Sequence, residues 1–397
     1  MFVSALVSSG QVINVNGSVI DEKNVPIPFA HLIIEGSNLK IASTHKGEFL
    51  LDNLVSPFSI KVSAIGYSSL NQTFNISSDT TVIFKLIENN EFLDQVVISG
   101  TLEEISKRES PISVEVYSSK YLKKIPVPSL MDAASQISGL RPQLNCAVCN
   151  TGDIHMNGME GAYSMVVLDG MPIVGGLSTI YGIQGIPTSL IQRLEVIKGP
   201  ASTLYGSEAM AGLINVITKK VDCAPDFSFS WNVSSWNEIQ ADILFKHINR
   251  DKVKGITAID IHHYDNPIDN NGDYFTDLTL KKRFSIYNKW EFKRKNDYPF
   301  IISARYFNEN RWGGQMNWSD LYRGSDSIYG ESIITNRFEL SSKYQLPTKE
   351  KIVFQSSASV HDQQSWYGIV DYMAQQHIGY GQLVWHKNIK SHKLVSG

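Results

Sequence analysis

Polar and apolar positions alternate with a period of two along most of this chain, but in two styles. Up to about residue 87 the alternation comes in short pieces: INVNGSVI (13–20), AHLIIEG (30–36), GEFLLDNL (47–54), FSIKVSAIGY (58–67), SLNQTFNI (69–76) and TTVIFKLI (80–87). Turn residues such as Asp21-Glu22-Lys23-Asn24 and Lys46-Gly47 separate them. Short strands at regular spacing predict a β-sandwich over residues 12–88. Beyond Asp226 the pieces lengthen and aromatic residues become frequent. Phe284, Ile286, Trp290 and Phe292 share one parity, and Arg283, Ser285, Lys289, Glu291 and Lys293 the other. Ile334, Phe338, Leu340, Tyr344 and Leu346 repeat the pattern, interrupted by Asn336 and Ser342. A period of two puts one parity on each face of a strand. A soluble sandwich would bury the apolar face, whereas a membrane barrel would turn it to lipid, and the alternation alone fits both. The long polar stretches 265–277 and 310–330 favour a barrel, whose loops are long on one side and short on the other.

Between these regions, from about 110 to 221, helical and strand signals mix. Residues 130–137 have helical spacing, with Gly139 where a C-cap would fall. Strands are predicted at 163–168, ending at Asp169-Gly170, at 191–197, ending at Gly199-Pro200, and at 213–218. The linker 89–107 holds one short apolar run, Asp94-Gln95-Val96-Val97-Ile98-Ser99. It reads as a strand of a neighbouring domain or as a donor strand for another protein's sheet edge, which needs main-chain hydrogen bonds and little sequence specificity.

Composition narrows the class. A length of 397 residues accommodates two or three domains, and 42% hydrophobic with 19% charged residues is ordinary for a folded chain. The net charge of −3 gives no basic stripe, which argues against a nucleic-acid partner. No apolar run of about 18 residues is present, so no transmembrane helix is expected, though a transmembrane barrel would escape that test. Residues 1–11, MFVSALVSSGQ, read as the remnant of an export signal without its basic start.

Two sets of motifs carry resemblances. Gly17-x-Val19, Pro28-x-Ala30, Gly47-x-Phe49 and Gly66-Tyr67 make the first region similar to the carboxypeptidase regulatory-like domain of the transthyretin-like class. His31 and His45 read there as strand or surface residues. The second region resembles the plug of TonB-dependent outer-membrane receptors. The blocks run in the family's order: Gly152-Asp153-Ile154-His155-Met156-Asn157-Gly158; Met165-Val166-Val167-Leu168-Asp169-Gly170-Met171-Pro172; Ile191-Gln192-Arg193-Leu194-Glu195-Val196-Ile197-Lys198-Gly199-Pro200; and Leu204-Tyr205-Gly206-Ser207 through Gly212-Leu213-Ile214-Asn215-Val216-Ile217-Thr218.

The resemblance implies a mainly β protein of the Gram-negative outer membrane. A transthyretin-like sandwich (12–88) would lead through a linker (89–107) to an α+β plug (108–222). The start of a transmembrane antiparallel barrel (223–397) would follow. Tight turns at Gly158, Gly161, Gly170, Gly199, Gly206 and Gly212 suit a plug. About eight or nine strands fit after Asp226, against about 22 in transporters of this kind, so a truncated barrel is expected. Asp94, Gln95, Val96, Val97, Ile98 and Ser99 would be the TonB box, engaged by the periplasmic protein TonB. Arg193 and Glu195, on one face of their strand, would tie the plug to the barrel wall. The other partners implied are membrane lipid and a metal chelate or similar scarce nutrient: a ferric siderophore, heme, cobalamin or copper. Lys198-Gly199-Pro200 stands where glycan importers usually carry Lys-Asp-Ala, which leans away from that class.

Of the three cysteines, Cys146 and Cys149 form a Cys-x-x-Cys. A local disulfide suits an oxidising periplasm. A soft metal site is the other reading, with His155, Met156 and Met159 close behind in sequence, because thiolates and thioethers select Cu(I). Six of the nine methionines (Met131, Met156, Met159, Met165, Met171 and Met210) fall in the plug. Asp269-x-Asn271-x-Asp273 with Asp277 has part of a calcium-loop pattern but Tyr274 at the turn position that wants glycine. Neither Gly-x-Ser-x-Gly nor His-Glu-x-x-His occurs, so no catalytic site and no cofactor is expected. The alternative readings are a glycan- or peptide-importing receptor of the same family and a non-transporting surface-binding β protein.

Overall fold

The computed structural model describes residues 12–397 apart from 23, 38, 65, 66, 68, 88–95, 123, 126–129, 147, 149, 174–183 and 391. The expected leader, 1–11, lies outside the described residues. The chain divides into two compact units, Met1–Gln95 and Val96–Gly397.

The first unit is a sandwich of two sheets. The strands are β1 (Val12–Ile20), β2 (His31–Ile34), β3 (Lys40–Ala42), β4 (Glu48–Val55), β5 (Phe58–Ser63), β6 (Leu70–Phe74) and β7 (Thr80–Lys85). They pair in the orders β4-β1-β7 and β3-β2-β5-β6. Inward positions alternate along each strand, so Ile13, Val15, Leu32, Leu51, Ile60, Val62 and Phe84 fill one core. The glycine-containing motifs have local reasons. A Cβ on Gly17 would run into the Val82 carbonyl oxygen of the neighbouring strand. Phe49, two residues past the Gly47 turn, packs its ring 5.4 Å from that of Phe84. The short strand β3 was not expected; Lys40-Ile41-Ala42 carries no alternation of its own and is ordered by pairing with β2.

The second unit opens with the plug. Its strands are β8 (Val96–Val97), β9 (Ile105–Ser106), β10 (Glu115–Ser118), β11 (Leu140–Cys146), β12 (Thr151–Met156), β13 (Ser164–Leu168), β14 (Met171–Pro172), β15 (Ile191–Lys198) and β16 (Gly212–Thr218). Five form one sheet in the order β10-β15-β16-β13-β14. All seven residues of β16 are buried, because the sheet is covered on both faces. Ile214 and Val216 join Val166, Leu194 and Val196 in one core, while Leu213 joins Met165, Val167 and Ile197 in the other. The helix expected over 130–137 is shorter, Leu130–Ala134, and closes in tight turns before Gly139 at φ +80°.

The rest of the unit is one nine-stranded antiparallel meander: β17 (Phe227–Val233), β18 (Ile239–Arg250), β19 (Val253–Tyr264), β20 (Leu280–Phe292), β21 (Phe300–Gly314), β22 (Gly330–Gln345), β23 (Lys351–Tyr367), β24 (Val370–Ile389) and β25 (His392–Ser396). Its polarity is inverted. Arg283, Ser285, Lys289, Arg305, Glu309, Arg337, His361 and Gln363 are buried. On the opposite parity, Phe338 is 48% and Leu340 is 44% exposed, and Phe284, Phe354 and Val360 stand out beside them. This decides between the two readings of the alternation: the apolar face looks outward, as in a membrane wall. The polar interruptions lie on that outer face and are paired across strands. Asn308 Nδ2 donates to Asn336 Oδ1 at 2.8 Å, and the Ser342 and Ser356 hydroxyls lie 2.9 Å apart. From Asn336 to Gln345 the strand β22 covers about 23 Å of height, at a rise of about 3.3 Å per residue and a tilt of about 40°, close to the height of an apolar band. The sheet's two ends also differ. The β19–β20 and β21–β22 connections are long and lie at one end, while the β18–β19 and β22–β23 turns lie at the other. No helix among the described residues is long and apolar enough to cross a membrane.

Candidate functional site: a docked segment, a plug and a polar wall

The expected TonB-box residues divide. Asp94 and Gln95 lie outside the described residues. Val96 and Val97 form β8 and pair with Ser106 and Ile105 of β9, with Val97 buried in the second plug core. Ile98 and Ser99 end on a buried carboxylate. Glu195 Oε2 accepts from the amides of Ile98 (2.9 Å) and Ser99 (2.8 Å) and from the Ser99 hydroxyl (2.6 Å). Asn215 Nδ2 on β16 donates to the same hydroxyl at 3.0 Å, and the Tyr205 hydroxyl donates to the Ser99 carbonyl at 3.2 Å. Burial, with the Glu195 charge nearby, pushes the Tyr205 phenol well above its usual range, so it stays a donor. Ser99, Glu195 and Asn215 are completely buried.

Arg193 and Glu195, expected to tie the plug to the wall, bond here to each other and to the segment. Arg193 Nε donates to Glu195 Oε1 at 2.8 Å, and the other carboxylate oxygen is taken by the 98–99 segment. The parity placed both side chains on one face correctly, but the segment covers that face first.

Other residues make the plug–wall ties. Asp242 on β18 accepts from the Ser189 amide (2.8 Å), the Thr188 hydroxyl (2.9 Å) and the Ser189 hydroxyl. Lys289 on β20 donates to the Thr218 hydroxyl at 2.8 Å and stands 3.6 Å from Asp169, which itself accepts from the Thr218 amide at 2.7 Å. Glu291 accepts from the Val221 amide at 3.2 Å. Arg311 on β21 donates to Gln184 Oε1 (2.6 Å) and to the Asn150 carbonyl (3.1 Å). Lys351 at the start of β23 pairs with Glu103. Burial raises the Glu103 carboxyl, but the Lys351 ammonium bonded to it, with His386 and Lys393, outweighs that and holds it below the usual carboxylate range. A cavity of about 500 Å³ lies along this interface, lined among others by Arg193, Thr218, Lys289, Ser341 and Lys343. The sequence signal for these ties is a charge on the inner parity of a long strand, where Asp242, Lys289, Glu291 and Arg311 all lie. Sequence could not name the partner.

Among the described residues the sulfur-rich set is spread over both faces of the β11–β12 hairpin. Cys149 lies outside the described residues. The Cys146 thiol, at the end of β11, donates to Glu331 Oε2 at 3.0 Å. His155 stands opposite Arg141, five residues along β11 from Cys146, and its ring is 3.1 Å from Asp153. Met156 is fully buried in the first plug core, with Met159 packed against it. Alternation sends His155 and Met156 to opposite faces of β12. Among the described residues no group of three or more His, Cys, Asp or Glu is placed to hold a metal. The calcium-like loop is a capped turn, in which Asp269 accepts from the amides of Gly272 (2.7 Å), Asp273 (3.2 Å) and Tyr274 (2.9 Å).

Known proteins share these parts. The family model described as the TonB-dependent Receptor Plug Domain matches residues 106–213, and that of the CarboxypepD_reg-like domain matches 15–98. The Vitamin B12 transporter BtuB of Vibrio vulnificus is 32% identical over 128 residues, covering 32% of this chain and 20% of that protein. The probable TonB-dependent siderophore receptor PirA of Acinetobacter baumannii is 33% identical over 135 residues, covering 30% of this chain and 18% of that one. The chain thus spans about a fifth of the length of these relatives. Among solved structures, the pyoverdine outer-membrane receptor FpvA of Pseudomonas aeruginosa superposes with a TM-score of 0.57 at 15% identity, over 76% of this chain and 47% of that one. PiuA, a siderophore receptor of A. baumannii, does so with a TM-score of 0.54 at 16% identity, over 75% and 45%. The chain thus carries a plug domain of the TonB-dependent receptor type and a regulatory-like domain ahead of it, and with the inside-out sheet behind them it shares the fold of TonB-dependent outer-membrane receptors.

Proposed function

We propose that this protein takes part in TonB-coupled uptake of a scarce nutrient, of the ferric-siderophore or cobalamin type. The observation that carries the reading is a plug tied by side chains to the polar face of an inside-out sheet, with the 96–99 segment docked on it. Glu103, in the loop after that segment, pairs with Lys351 at the short-turn end of the sheet, where a periplasmic partner would reach it. The β11–β12 hairpin reaches the other end, where the Val148 carbonyl accepts from Thr279 at 2.7 Å, beside the long loops. A nutrient would bind there, between hairpin and loops. TonB would then take the segment near 94–97 as an added strand and pull, and the plug would move off the wall. The work is gating, with no bond made or broken.

The nutrient class rests on the relatives, whose names point to vitamin B12 and siderophores, and on Lys198-Gly199-Pro200 in place of the glycan importers' Lys-Asp-Ala. Copper is a weaker candidate, because the soft side chains are spread over opposite faces of the hairpin. The test is growth of a deletion strain on limiting siderophore-bound iron, cobalamin, heme, copper or a glycan, one at a time. Slowed growth on a siderophore or on cobalamin alone is expected. Slowed growth on the glycan alone would move the protein to the other importer class.

A further inference from the structure

Two parts of the docked segment are held very differently. Val96 and Val97 are paired with β9 over two residues only, the kind of short ladder that an incoming strand can replace. Ser99 is fixed by hydrogen bonds to Glu195 on β15, Asn215 on β16 and Tyr205, with Ser99, Glu195 and Asn215 fully buried. Bonds to an ionised carboxylate are stronger than neutral ones. A load applied at 96–97 therefore opens the β8–β9 pair first and arrives at Ser99 with its anchor intact.

The anchor is continuous with the plug–wall contact. Asn215 Oδ1 accepts from the Gly170 amide at 3.2 Å. The neighbouring residue, Asp169, holds Thr218, and Thr218 receives the wall's Lys289 at 2.8 Å. Ser99, Glu195 and Asn215 thus join the segment to the turn that borders the cavity between plug and wall.

Building on the TonB-coupled reading, we infer that Glu195, with Ser99, is the coupling anchor: the point at which a pull on the 96–97 strand enters the plug. Glu195 is a positioning residue that contacts neither TonB nor nutrient. Its loss separates engagement from import: TonB still takes the strand, and the load is dissipated in slack chain.

The test compares the wild type with Glu195→Gln and Ser99→Ala in the full receptor. Hydrogen exchange of the 98 and 99 amides reports the anchor. Binding of a purified periplasmic TonB domain reports engagement. Import of labelled cyanocobalamin and ferric pyoverdine into energised cells reports coupling. Glu195→Gln is expected to raise exchange at 98–99 at least tenfold, leave TonB-domain binding equal or tighter, and lower import at least tenfold. Ser99→Ala removes only the hydroxyl and spares the plug sheet; it should do the same with a severalfold fall in import. Import at the wild-type rate with loosened amides in either variant overturns the inference, and so does import lost in step with TonB binding, which a merely structural role would give. A wild type that neither binds the TonB domain nor imports either probe refutes the functional reading itself, and the inference with it.

Discussion

Gly212 shows how single residues fix this plug. It sits at φ +147°, and a Cβ there would meet the Ile197 carbonyl oxygen and the Met156 sulfur. Gly212→Ala should cost about 2–4 kcal/mol from backbone strain and overpacking together, read as a lowered urea midpoint in circular dichroism of the refolded protein. An unchanged midpoint would show that the plug yields at this point. Glu103 gives a pH prediction. Its carboxyl is depressed in the folded protein, so its pair with Lys351 contributes fully above the ordinary carboxylate value of 4.5 and is lost as pH falls through the lower folded value. Exchange of the 103–106 amides should therefore be flat from neutral pH down to about 5, after correction for intrinsic rates, and rise below about 4. A rise already above about pH 5 would show that the Glu103–Lys351 pair does not hold this loop. At this scale the sequence was informative about backbone need and silent about partners. Gly158, Gly170, Gly199, Gly206 and Gly212 were legible because few other residues take their positive φ, while Gly161 is required instead by its close approach to Asp153. Glu195 was placed on the right face, yet its partner, the 98–99 segment, lies 96 residues away along the chain, and no local pattern encodes that pairing.

Among elements, the two faces of the sheet, sampled on β22 and β23, make opposite predictions. Leu340 lies on the outer face, so Leu340→Arg near mid-band should cost about 2–4 kcal/mol in unfolding from phospholipid vesicles. Ser357, on the inner face of β23, borders a small pocket beside Arg305 and Arg337. Ser357→Thr should shift stability by less than about 1 kcal/mol, within the range of minor substitutions. The reverse ranking would mean that the sheet is not inside out. Asp242 tests the plug–wall contact: Asp242→Ala strips the acceptor from the buried Ser189 amide and from two hydroxyls, for a loss of about 1–3 kcal/mol. Long strands were legible because their alternation runs for twelve or more residues, as in β18 to β24. β3 and β9 were not, since three residues or fewer carry no period; β8 was found only because its two valines stand out in a polar linker. The direction of the apolar face was not legible either. Period two names two faces, and which one meets solvent or lipid depends on what covers the other.

For the whole molecule, the fold class was legible in blocks of motif, because a plug needs tight turns and central strands buried on both faces, and those leave a dense signature from 152 to 218. Closeness in sequence is a weaker guide, because along a hairpin alternate residues such as His155 and Met156 go to opposite faces. Coupling to TonB is the claim on which the functional account turns, and one position tests it most directly. A photoreactive residue at Val96, in energised cells where the receptor is inserted, should give an adduct with TonB. The adduct should grow when the nutrient is added and disappear with Val97→Pro, which removes a main-chain donor from the strand. Absence of any TonB adduct at 96, in cells that still import the nutrient through this receptor, would contradict the account.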